Sequence, residues 1–121
     1  MGEIIVNKLE VGLYVRTKDG YIVNIMRHEH YWINKEEWNY ITTDIGLNFE
    51  IDAILKASHN IIDLIEVGDY VNGERVCAVE KYEEGKLTVL ALFEDYCTQQ
   101  NIKSIVTKEM YSSVEYRVEV D

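Results

Sequence analysis

The chain has 121 residues, room for one domain or two very small ones sharing a core, and its 47% apolar content excludes wholesale disorder. Nine Tyr, two Trp and two Phe favour strands, and with no proline at all the turns fall to seven Gly and to Asn and Asp. A net charge of −10, with six Lys/Arg against nine Asp/Glu in residues 1–60 and six against thirteen in residues 61–121, argues against direct nucleic-acid binding and makes a basic protein partner electrostatically easy.

No apolar run of about 18 residues is present to span a bilayer. The start, MGEIIVNKLE, lacks the basic head and apolar core of a signal peptide. With only Cys77 and Cys97, on separate predicted elements, the expectation is a reduced, cytoplasmic protein without membrane attachment.

In chain order, Ile4-Ile5-Val6 reads as a short strand. Val11–Thr17 and Tyr21–Met26 read as a hairpin turned by Lys18-Asp19-Gly20. The second arm runs on through His28, His30 and Trp32, and Asn34–Glu37 is a turn before a strand Trp38–Ile41. A helical turn starting at Asn34 is the alternative there, since Asn caps helices well. Phe49–Ala57 suits helix and strand equally. The composition shifts near residue 58, the best candidate boundary, so residues 1–57 form an aromatic-rich hairpin subdomain and 58–121 a second one.

The second half is organised around Ile61–Val76, IIDLIEVGDYVNGERV, where Asn72-Gly73 is a strong hairpin corner. Leu9–Val15 matches Ile65–Val71 at six of seven positions if Leu and Ile count as alike, so Gly12 and Gly68 are expected at equivalent backbone positions. Strands are expected over Arg75–Tyr82, Leu87–Phe93 and Ile102–Val106, with a polar loop over Glu94–Asn101. A capped helical turn over Thr107–Tyr111 and a last alternating strand over Val114–Val120 complete the chain. The predicted core of this half is Val71, Val76, Val79, Leu87, Val89, Ile105, Val114, Tyr116 and Val118. The fold class is therefore mainly β, with β-rich α+β as the variant. It consists of two related hairpin units, the C-terminal one ordered like an SH3-like small barrel by fold-level analogy.

Four constellations could carry chemistry. His28 and His30 share a strand face at a spacing seen in metal sites, with Glu36, Glu37 or His59 as candidate third ligands; a polar edge strand explains them more simply. Cys77, in an apolar strand, reads as a buried structural thiol. Cys97, beside Glu94 and Asp95, reads as a loop thiol whose acidic neighbours blunt its nucleophilicity. The carboxylates Asp63, Glu66, Asp69 and Glu74 crowd one hairpin, as an acidic chain routinely produces. No phosphate loop or nucleophile elbow is present, so the sequence reads as non-enzymatic and without a cofactor. The surplus of aromatic residues in the first half places a protein interface on a face carrying Tyr31, Trp32, Trp38 and Tyr40, with a homodimer as its most economical use.

At IIDLIEVGDYVNGERV, at Ile102–Glu109 and at Val114–Val118, the chain resembles a group of small uncharacterised proteins of bacteriophages and prophages of low-GC Gram-positive bacteria. The resemblance covers roughly residues 55–121. It implies a phage accessory gene acting in a bacterial cytoplasm and carries over no activity or catalytic residue. The functional expectation is a non-enzymatic protein-binding module. The alternatives are an acidic inhibitor occupying the basic channel of a host defence or nucleic-acid-binding protein, and a metal-dependent enzyme built on His28 and His30.

Overall fold

The structure, a computed structural model, describes residues 9–114. The expected strands over Ile4–Val6 and Val114–Val120 fall outside that range, except that Val114 closes a helix. The protein is mainly β and divides into two compact units, residues 1–64 and 65–121, each with a five-stranded antiparallel sheet.

The first unit holds β1 (Tyr14–Thr17), β2 (Ile22–Ile33), β3 (Glu36–Thr43), β4 (Asn48–Glu50) and β5 (Ile54–Ser58), in the spatial order β4-β3-β2-β1-β5. The second holds β6 (Tyr70–Val71), β7 (Glu74–Tyr82), β8 (Leu87–Leu92), β9 (Tyr96–Cys97) and β10 (Ile105–Val106), in the order β10-β6-β7-β8-β9. Counted within each unit, both orders are the same: the fifth strand pairs with the first, and the rest follow as a meander. A 3₁₀ turn precedes the fifth strand each time, Ile51–Ala53 in one unit and Gln99–Asn101 in the other. A helical segment follows it, the 3₁₀ turn Ile61–Leu64 or the helix α1 (Lys108–Val114).

The heptad repeat marks the entry to each sheet. Gly12 has φ +91° and Gly68 φ +97°, a region that glycine enters without penalty. Gly12 N–H donates to the Ile25 carbonyl at 2.9 Å, and Ile25 N–H donates back to Leu13 at 2.9 Å. Gly68 and Val76 repeat the exchange through Asp69, at 3.0 and 2.8 Å. The equivalence reaches a β-bulge: register shifts between Ile25 and Arg27 in one unit and between Val76 and Ala78 in the other, leaving Met26 and Cys77 at matching exposed positions.

The boundary falls after Leu64, seven residues past the composition shift, because β5 is a strand paired with β1 and the 3₁₀ turn Ile61–Leu64 packs on those same two strands. Buried Arg16 fastens that turn, its Nη1 donating to the Leu64 carbonyl at 3.0 Å. Residues 49–57 thus resolve into strand, 3₁₀ turn and strand. The first unit's core is Leu9, Leu13, Val15, Val23, Ile25, Ile41, Phe49 and Ile54, so its hairpin is part of a complete sheet.

In the second unit the expected core is partly out of phase. Val71 and Val76 are buried, but β8 buries Thr88, Leu90 and Leu92 and leaves Leu87 exposed and Val89 half-buried. A mostly apolar run such as Leu87–Leu92, broken only by Thr88, does not reveal its inner face, and a one-residue slip exchanges the two faces. The Asn72-Gly73 corner has positive φ at both residues, 53° and 82°, as a type I′ turn requires. Asn72 also accepts from the backbone N–H of Lys103 (2.7 Å) and Ser104 (3.1 Å) through Oδ1 and donates through Nδ2 to the Asn101 carbonyl (2.8 Å). One side chain therefore fixes both the corner and the approach to β10.

Candidate functional site

The feature that stands apart is the far end of the β2–β3 hairpin. On one side β2 pairs with β1 only through Ile22–Asn24, and on the other β3 pairs with β4 only through Tyr40–Thr42. Beyond those limits, with Arg27–Glu29 paired to Tyr40–Thr42, His30–Ile33 and Glu36–Asn39 pair only with each other among the described residues. They form a two-stranded arm with two open edges. Asn34 (φ 50°) and Lys35 (φ 68°) close it as a two-residue type I′ turn. Asn34 therefore turns a hairpin and caps no helix, the extended pairing on either side of it leaving no room for a helical turn.

The arm's two faces differ. Residues opposite each other across an antiparallel pair share a face, which groups Tyr31 with Trp38 and Glu29 with Tyr40. Tyr31 and Trp38 stack with centroids 6.5 Å apart and planes 16° from parallel, while Tyr31 meets Tyr40 edge-on at 6.4 Å. A hydrogen bond with Tyr31 is the main cause that raises the Tyr40 phenol above its ordinary pKa; partial desolvation and the charge of Glu29 add to it, and Arg27 opposes it. Trp32 does not belong to this group. It pairs with Glu37 on the opposite face, with His28 and His30, because adjacent strand residues alternate. The four expected interface residues thus cover both sides of the arm. Trp32 is 65% exposed and Trp38 45% exposed.

On the Trp32 face the imidazoles of His28 and His30 lie parallel, 6.4 Å apart. Their Nε2 atoms are engaged with Asn39 Oδ1 (2.8 Å) and Glu37 Oε2 (2.6 Å). Of the candidate third ligands, Glu36 sits opposite Ile33 on the other face and His59 is hydrogen-bonded to Glu10 at 2.9 Å. Among the described residues no three His, Cys, Asp or Glu converge as a metal would require. The histidines are tied by cross-strand bonds that hold the arm's register.

A groove of about 710 Å³ opens along the outer edge of β3, where the arm passes beyond the end of β4. Tyr31, Trp38 and Tyr40 form its aromatic wall; Glu37, Glu50 and Asp52 supply charge, and Phe49 and Ile51 close the end nearest the core. Among the described residues no Lys or Arg lines it. The sequence pointed to the aromatic residues and missed Glu50 and Asp52, which lie in the stretch where helix and strand patterns read alike.

The two thiols are the reverse of their expected placement. Cys77 sits exposed at the bulge of β7, and Cys97 is 2% exposed in β9. The bulge turns Cys77 outward within an apolar strand, and β9 carries Cys97 inward opposite Leu90. Burial first, then Asp95 and Glu74, push the Cys97 thiol above its ordinary pKa. Each of the four carboxylates of the central hairpin is engaged by the protein's own groups. Asp63 accepts from the Ser58 hydroxyl (2.8 Å), Glu66 pairs with Lys108 (2.7 Å), and Glu74 accepts from the Glu94 N–H (3.3 Å). Asp69, fully buried, accepts the backbone N–H of Glu66 at 2.7 Å and of Lys108 at 2.9 Å, bracing the entry turn against the start of α1.

No family model, curated protein or solved structure matches the chain. Among the described residues no helix is long and apolar enough to cross a membrane.

Proposed function

We propose that the protein is a non-enzymatic binding module built from two small SH3-like units, and that the β2–β3 arm is the surface with which it grips a protein partner. One observation carries this reading: the arm holds Tyr31, Trp32, Ile33 and Trp38 in solvent on a ribbon that no further strand covers among the described residues. An isolated two-stranded ribbon is marginal in water, and exposed aromatic residues on one are costly unless something covers them. Tyr and Trp are also the side chains that interfaces favour, since they bury large areas at little entropic cost. The shared strand order, with a 3₁₀ turn before the last strand, supports the SH3-like assignment of both units. The likeness of the second half to phage and prophage proteins suggests a phage accessory protein acting inside a bacterial cell.

The test removes the arm and keeps the sheet. Joining Glu29 to Tyr40 through Asn-Gly in place of residues 30–39 retains every pair between β3 and β4 and the inner pairs of β2 and β3. Capture from bacterial lysate by the intact chain should yield a partner that the trimmed chain, folded by circular dichroism, no longer retains. Equal recovery of that partner by both chains would overturn the reading.

A further inference from the structure

We infer that the occupant of the groove along β3 is a basic, extended peptide segment of a partner protein, laid antiparallel or parallel beside the open stretch Glu36–Asn39 where β4 stops. This deepens the binding-module reading and rests on it. Three features of the groove select that occupant. First, β4 pairs with β3 at Tyr40–Thr42 and goes no further, so the outer backbone groups of the preceding residues face the groove with no strand beside them among the described residues. An extended segment continuing the line of β4 would satisfy them, as strand addition does elsewhere. Second, Tyr31, Trp38 and Tyr40 present ring faces and edges along the same edge, and ring faces attract guanidinium and ammonium groups. Third, the carboxylates on the lining are Glu37, which is bonded to the lining His30, and Glu50 and Asp52, with no Lys or Arg lining the groove among the described residues. A peptide with Arg or Lys at alternate positions would direct its cations to the rings and to Glu50, which sits opposite Tyr40 on the same face, because side chains of an extended strand alternate.

A second copy of this chain fits less well. A two-fold interface would set the same patch against itself, bringing Glu37, Glu50 and Asp52 of one copy towards those of the other. Like charges so placed oppose association, and a chain of net charge −10 adds to the repulsion.

The test uses the full chain and two synthetic nine-residue peptides of alternating Thr and Arg, or of Thr and citrulline, the neutral counterpart of Arg. Binding is read by fluorescence anisotropy and located by backbone-amide NMR shifts. The expected result is saturable binding of the arginine peptide, with shifts at residues 36–40 and 48–52 and about tenfold weaker binding of the citrulline peptide. Glu50→Gln with Asp52→Asn should weaken the arginine peptide by about tenfold. Glu83→Gln with Glu84→Gln, which removes the same charge from an exposed turn of the other unit, should change it less than about twofold. Trp38→Leu should cost about threefold, since leucine keeps apolar area and loses the ring face.

Absence of saturable arginine-peptide binding, equal binding of both peptides, or an equal loss from the two double neutralisations would each overturn the basic occupant. If the citrulline peptide then binds as well and is lost in Trp38→Ser, the arm remains a binding surface with a neutral occupant. If neither Trp38→Ser nor the Glu50 and Asp52 pair alters arginine-peptide binding, the basic occupant and the arm's role in peptide binding fall together.

Discussion

Asp69 is the residue on which the second unit's entry turn depends most directly. Its buried carboxylate holds two backbone N–H groups, and Asp69→Ala would strand both. The expected loss is about 1–3 kcal/mol in chemical denaturation, the cost of buried donors without partners. Gly73→Val should cost roughly 1 kcal/mol or more, because φ +82° strains a β-branched side chain even though open space surrounds the position. The two thiols should separate cleanly in a modification assay, with Cys77 reacting in the native state and Cys97 only on unfolding. The raised pKa of Cys97 also gives a sign. The folded thiol stays protonated where the unfolded one has ionised, so its contribution to stability is complete below the unfolded pKa and is lost as pH rises through the folded value. Denaturation midpoints should therefore fall on the alkaline side more steeply for the native chain than for Cys97→Ala. The cysteines also show what residue patterns conceal: a bulge at one position reverses every inside–outside assignment that follows it, and nothing local to Cys77 announces one.

At the scale of elements, turns were the most legible feature and strand faces the least. Asn72-Gly73 and Lys18-Asp19-Gly20 turn the chain where their residue types require it, with positive φ at Gly73 and Gly20. Asn34-Lys35 was legible as a turn, while its type I′ form depends on the cross-strand pairing of the arm. The aromatic content of the arm was also legible, but its separation into two faces follows from register, and its projection past β1 and β4 follows from where those neighbours stop. No pattern within residues 27–39 encodes the length of another strand. Because the first unit's core lies at the inner end of the hairpin, with Ile25 and Ile41 buried and Tyr31, Trp32, Ile33 and Trp38 exposed, the arm should be dispensable for folding. The chain trimmed between Glu29 and Tyr40 is expected to match the intact one in unfolding free energy to within about 1 kcal/mol. A larger loss would mean that the arm braces the sheet.

Across the whole molecule, one design occurs twice, and the two copies differ in their long hairpins. The glycine entry, bulge, strand order and closing helical segment agree between residues 1–64 and 65–121. A seven-residue match was enough to signal the duplication, because the entry turn requires glycine and the strand after it requires a buried valine. The remainder of the repeat is carried by backbone pairing, which tolerates side-chain change, and so left little trace in the sequence. The long hairpins differ in kind: the first exposes a stacked aromatic pair beside an acidic groove, whereas the second ends in the turn Glu83–Lys86 and places its most exposed aromatic, Phe93, just after β8. This difference gives the account its sharpest test. A photoreactive benzoylphenylalanine in place of Trp32, compared with one in place of Phe93, which is 78% exposed, asks which unit meets the partner. Irradiated in bacterial lysate, the chain labelled at 32 should form a discrete cross-linked species that the chain labelled at 93 does not. A cross-link at 93 with none at 32 would contradict the assignment of the arm as the binding surface.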